Sequence, residues 1–122
     1  MDESIKVEDS ILLSVKKSLG LEPDITHFDP DIVMCINSAL NVLTQLGVGP
    51  NSGFQITSSE DTWEEFIGED VRLNMVKTYI FLKTKVTFDP PTGNAILESY
   101  KEQIREYEWR LNVQVDPEYT FK

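Results

Sequence analysis

The sequence predicts an all-α protein, a small bundle of about four to five helices with one long loop at 47–58 and an extended C-terminal tail. Three observations predict it. Apolar residues recur three and four apart in four long segments, the spacing that places them on one face of a helix. The strong helix breakers fall between those segments, as Gly20, Gly47 and Asp89-Pro90-Pro91, rather than within them. A short fifth segment, "TWEEF", opens on a capping box, Thr62 to Glu65.

The first helix is expected from about Val7 to Leu19, with Ile11, Val15 and Leu19 on one stripe, and Gly20 ends it in the left-handed cap position. "EPDIT" is a linker. In "FDPDIV", Asp29 is the expected cap of the second helix, Pro30 suits its first turn, and Phe28 is placed to staple onto Val33. The buried stripe is Ile32, Ile36, Ala39 or Leu40, Leu43 and Leu46, and Gly47 stops the helix. "GVGPNSGFQITSSED" reads as a loop with at most a short extended piece at Phe54–Thr57.

The fourth helix, about Glu69 to Val86, is apolar on two sides: Met75, Tyr79, Leu82 and Val86 form one row, and Leu73, Val76 and Ile80 another. A helix of that kind needs neighbours on both flanks. The fifth, about Ala95 to Leu111, carries one stripe, Leu97, Tyr100, Ile104, Tyr107 and Leu111. Its opposite face holds Glu98, Glu102, Arg105 and Trp109, and Glu106 and Arg110 are spaced for an i,i+4 pair. The tail "VQVDPEYTFK" alternates and contains Pro117, so it is expected to be extended.

The 122 residues fit a single domain spanning 1–122, with the helical body at about 7–112 and the tail at 113–122. The net charge is −10, from 21 acids and 11 bases. That balance opposes binding of nucleic acid by phosphate neutralisation and docking on anionic membranes. Residues 60–70 hold six acids and no base, and residues 71–88 hold Arg72, Lys77, Lys83 and Lys85 and no acid. Those four cations do not form one stripe, so they are read as balancing the adjacent acids. The single Cys35 excludes an internal disulfide, and the acidic N-terminus is no secretory signal. No apolar run approaches the roughly 20 residues of a membrane span. The chain reads as a soluble protein made inside the cell.

No catalytic constellation is found. His27 is the only histidine and falls in a linker. "EDTWEEFIGED" carries hard oxygen ligands, but its spacing matches no calcium loop, and Glu64 and Glu65 are explained as first-turn partners of a helix dipole. "GVGPNSG" lacks the Gly-Lys-Ser/Thr ending of a phosphate loop. Cys35 has no adjacent His or Lys and is expected to be buried and structural. Catalytic activity, a cofactor and a metal are therefore not expected.

Two features point to assembly. The residue before a proline leaves helical geometry, so Phe88 and Asp89 are expected to end the fourth helix, and Pro90-Pro91 lock the direction of exit. Thr92 or Asn94 is expected to cap the fifth helix. The result is a stiff corner, suited to a surface that must keep its shape against a neighbour. Trp109 stands off the core stripe, which leaves two readings: it covers the core edge against a returning loop, or it anchors an interface, where Trp is enriched.

Taken in order, "INSALNVLTQLGVGP", "FQIT", "TWEEFI", "MVKTYIFLKTKVTFDPP" and "YEWRLN" resemble the small head–tail connector proteins of long-tailed bacteriophages and prophages of Gram-positive bacteria. The resemblance covers about Leu12 to Asn112, with the first ten residues and the tail after Asn112 outside it. It implies a non-enzymatic virion protein that assembles as a ring, typically dodecameric, beneath the portal protein once DNA is packaged. Such a ring extends the DNA channel and offers a surface to the next neck or tail protein. Its location is the head–tail junction of the virion, and the host cytoplasm during assembly. DNA passes without specific binding, and an acidic channel wall would let it slide. On this reading Phe54 and Ile56 in the 47–58 loop contact lumen or portal, and Trp109, Arg110, Tyr119 and Phe121 dock subunit or portal. Two alternatives stand beside it, another neck or tail-completion component and a soluble acidic helical adaptor that mimics DNA.

Overall fold

The computed structural model describes residues 5–115, with side chains described as far as Asn112. Among the described residues there are five helices and no strand: α1 (Ile11–Ser18), α2 (Asp29–Gln45), α3 (Trp63–Ile67), α4 (Leu73–Phe88) and α5 (Asn94–Val115). The all-α expectation holds. Helix α4 runs through the middle, with α2 against one flank and α5 against another, and α1 lies across α2 and α4.

The apolar spacing accounts for this packing. α2 buries Ile32, Ile36, Ala39, Leu40 and Leu43, the predicted stripe with Leu46 only half-buried at its end. α4 buries Val76, Tyr79, Ile80 and Leu82, drawn from both of its predicted rows. α5 contributes Ile104 and Leu111 to the core, with Leu97, Tyr100 and Tyr107 half-buried along the same stripe.

Several boundaries differ from the sequence reading, each for a local reason. α1 begins at Ile11 rather than Val7, because Ser10 is its cap and accepts from the Leu13 amide at 3.1 Å. Asp29 does not cap α2. It is already helical, and its carboxylate meets the ammonium of Lys16 at 2.9 Å. Phe28 packs against the ring of Phe88, centroid to centroid 5.5 Å, and so ties the start of α2 to the end of α4. α4 starts at Leu73, since Asp70 turns back to accept from both the amide and the guanidinium of Arg72.

Phe88 remains inside α4. The steric effect of a proline reaches only the residue before it, and Asp89 alone leaves helical geometry, at φ −147° and ψ 67°. Asn94 is the first residue of α5 rather than its cap. At the far end α5 continues to Val115, so residues 113–115 are helical and not extended. Helix propagation is favourable once nucleated, and the next breaker in the chain is Pro117. The rest of the predicted tail lies outside the described residues.

Two connections are held by specific bonds. Lys16 is fully buried, and its ammonium donates to the carbonyls of Pro23 at 3.1 Å and Ile25 at 2.6 Å as well as meeting Asp29. One cation thus pins the whole linker between α1 and α2. In the 47–58 loop no strand forms at 54–57, where the sequence allowed at most a short extended piece. Asn37 brackets Ile56 instead, accepting from its amide at 2.8 Å and donating to its carbonyl at 3.0 Å. The one β-type pairing described joins Ser10 to Thr62.

Gly20 and Gly49 both have positive φ, 86° and 87°. A Cβ at Gly20 meets open space, whereas one at Gly49 overlaps the ring of Phe66. Gly20→Ala is expected to cost about 1 kcal/mol from backbone strain alone. Gly49→Ala is expected to cost about 3 kcal/mol, because ring displacement adds to the strain. Urea denaturation of the two variants checks the difference, and equal midpoints would contradict the Phe66 contact.

Candidate functional site

α5 packs on α4, and among the described residues its outer face is largely exposed. That face is held helical by pairs along its own length: Lys101 with Glu98 at 3.8 Å, Arg105 with Glu102 at 3.0 Å and Arg110 with Glu106 at 2.8 Å. The predicted Glu106–Arg110 pair is among them. All these side chains are largely exposed, so each pair contributes only about 0–1 kcal/mol and can exchange partners at little cost. Trp109 stands among them and is 57% exposed. Of its two readings, that exposure leaves the indole available as an interface anchor. Ile96, at the other end of the helix, is also exposed.

The inner face of α5 is fixed by more than apolar contact. The hydroxyl of Tyr79, a buried α4 residue, donates to the Glu108 carboxylate at 2.8 Å. Burial, and then the neighbouring carboxylate, push the Tyr79 phenol well above its ordinary value of 10.0. Spacing alone assigns Glu108 no role, since it sits beside the stripe rather than on it. A buried tyrosine hydroxyl in need of a partner was the available signal.

The other predicted contact residues divide. Ile56 is 1% exposed and belongs to the core, and Phe54 is half-buried with its ring 5.2 Å from that of Phe66. Both face inward, so the loop presents its polar residues Asn51, Ser52 and Gln55 to the outside. At the corner, Asp89 and Pro90 are exposed and Pro91 is half-buried, and Asp89 receives the ammonium of Lys85 at 3.0 Å. Lys85 and Arg72 thus do balance neighbouring acids, the latter through Asp70 at 2.8 Å. Tyr119 and Phe121 lie outside the described residues. Cys35 is half-buried on α2, and burial with Asp31 nearby pushes its thiol up, away from reactivity. His27 is exposed and packs on Phe28.

A groove of about 500 Å³ that the sequence reading missed lies on the opposite side of α4. The start of α1 and the turn before it are stitched to the start of α3 and the residues before it by two backbone bonds, the Ile11 amide to the Asp61 carbonyl at 3.0 Å and the Trp63 amide to the Asp9 carbonyl at 3.1 Å. This brings Glu8 and Asp9 alongside Glu64 and Glu69. Beneath them Trp63 is buried, its indole donating to Ser14 at 3.0 Å, with the Lys77 ammonium 5.5 Å from its ring centroid. The groove was illegible because its acids come from segments more than fifty residues apart in the sequence.

Among the described residues no three His, Cys, Asp or Glu side chains stand together to hold a metal, and no helix is long and apolar enough to cross a membrane. What the fold offers is a rigid helical body with exposed, chemically distinct flanks, the makings of a structural part that joins other proteins. The chain belongs to the phage connector protein family, whose match runs over residues 11–118. This extends beyond the resemblance read from the sequence and takes in most of the C-terminal tail. Comparison with curated proteins, and separately with solved structures, returned no match. Family membership makes the chain a structural connector of the virion, with portal or tail components as its partners.

Tyr79→Phe removes the donor from Glu108 and is expected to cost about 1–2 kcal/mol of stability at neutral pH. The direction of the Tyr79 shift sets the pH dependence. Its folded-state value is raised, so its contribution is complete below the unfolded value near 10 and falls as pH rises past it. Urea midpoints measured from pH 8 to 11 should therefore drop more steeply for the wild type than for Tyr79→Phe. Parallel curves would mean that the phenol is not held neutral by the fold.

Proposed function

We propose that the chain assembles as a ring, dodecameric in the virion, beneath the portal of a phage of Gram-positive bacteria. There it extends the DNA channel after packaging and presents a surface to the next neck or tail protein. Assembly begins in the host cytoplasm and ends at the head–tail junction. The observation that carries this reading is the family match over 11–118, nearly the whole helical body. The fold agrees with it in a specific way. A connector must keep two outer surfaces at a fixed angle, and here α4 is clamped between neighbours while a two-proline corner sets the direction of α5.

The net charge of −10 supports a channel wall lined by acids, along which DNA moves without sticking. A ring structure with a basic or neutral wall would remove that part of the proposal. Trp109 and Arg110 are the residues assigned to subunit or portal docking. An exposed Trp flanked by charges that re-pair easily has the composition of an interface anchor.

The experiment is sedimentation of the purified chain with the portal protein encoded nearest to it. Co-migration at a fixed ratio is expected, and Trp109→Ala should weaken it by about tenfold or more, with the helical signal unchanged. If no co-migration appears at any salt or protein concentration, the portal-connector assignment falls.

A further inference from the structure

The structure places two unlike surfaces on opposite flanks of α4. Lys77 lines the groove between the N-terminal turn and α3, and Tyr79 bonds to α5. Two residues apart on a helix is a rotation of about 200°, so groove and α5 diverge from the same helix. A head-to-tail contact between identical chains needs this arrangement: two separate patches, each fitting the other, rather than one patch that fits itself.

The groove is acidic over an apolar bed, and the outer face of α5, balanced in charge by three acids and three bases, sets two guanidinium groups beside an exposed indole. The groove has an apolar bed at Ile5 and Leu73, beside the stem of Lys77, and four exposed carboxylates against two ammonium groups around it. The outer face of α5 offers an exposed Trp109 with Arg105 one turn before it and Arg110 immediately after. Both guanidinium groups are paired on their own helix, yet at 60% and 54% exposure those pairs contribute little and are readily exchanged. Arg105 and Arg110 can then pair with the groove carboxylates while the indole covers the apolar bed. The fixed backbone stitch between Asp9 and Trp63 keeps the groove in shape before anything binds.

We propose that the groove formed by Glu8, Asp9, Glu64 and Glu69 receives the Trp109 face of α5 from a second copy of this chain. This contact is the repeating joint of the ring, and it rests on the ring reading above. It names the surface that answers Trp109, which the family match leaves open, and it takes the subunit role for Trp109, so that Trp109→Ala weakens co-migration with the portal through loss of the ring rather than of a portal contact.

Charge reversal with rescue tests it. One variant carries Glu64→Lys and Glu69→Lys, a second carries Arg105→Glu and Arg110→Glu, and a third carries all four changes. Self-association is followed by sedimentation over a concentration series, alone and with portal, and portal binding is scored separately. Helical signal and melting point confirm that each variant folds. Each two-residue variant should associate about tenfold or more weakly than the wild type, and the four-residue variant should recover most of that loss. Failure of the four-residue variant to recover overturns the proposal, as does unchanged association in the α5 variant. Loss of portal binding in the α5 variant with self-association intact gives this face of α5 to the portal; the joint is then refuted while the connector reading stands. Absence of self-association under all conditions also refutes the joint, and the connector reading then stands or falls on portal binding alone.

Discussion

The constraint on which the rest of the structure depends is the two-sided burial of α4. A helix with apolar residues over most of its circumference cannot rest at the surface, so α2 and α5 must occupy its flanks. Tyr79 and Ile80 are both fully buried although they are adjacent in sequence and point about 100° apart. That width of burial makes α4 an axle, and the positions of the groove and of α5 are consequences of where its residues point. Tyr79 adds direction to what apolar contact alone leaves loose, because its hydroxyl has one partner, Glu108, at one register of α5.

The helices and their buried faces were legible because periodicity is a local property. The stripes of α2 and α5 emerge residue for residue, with Ile104 and Leu111 buried and Leu97, Tyr100 and Tyr107 half-buried on α5. The capping box of α3 forms in full, Thr62 accepting from Glu65 and Glu65 from Thr62. Local rules failed where a distant partner overrode them. Asp29 has the position and side chain of a cap, yet a buried ammonium from α1 claims it, since an unpaired Lys16 in the core would cost more than a missing cap. Phe28 likewise packs on Phe88, sixty residues away in sequence.

The candidate surfaces were legible only in part, and for the same reason. Trp109 could be singled out because an off-stripe tryptophan is a local observation, and it is 57% exposed. Phe54 and Ile56 looked available because a glycine-rich loop hides nothing from sequence alone. Their inward turn depends on Asn37, a polar residue on α2 whose two bonds to Ile56 draw the loop down. The groove needs the pairing of Ser10 with Thr62, and no local pattern announces a single isolated bridge.

In the proposed ring the stiffness of the corner would have a purpose. In a closed ring each contact repeats the same rotation, so an angular error in one subunit is multiplied around the circle and the ring fails to close. The angle in question lies between the groove and the outer face of α5, and both are referred to α4. The groove is referred to it through Lys77 and Leu73, and α5 through Tyr79, Ile104, Leu111 and the Pro90-Pro91 exit. A flexible hairpin in place of the two prolines would loosen that angle. Conformational freedom lost at the corner when the chain folds is freedom that assembly does not have to remove later.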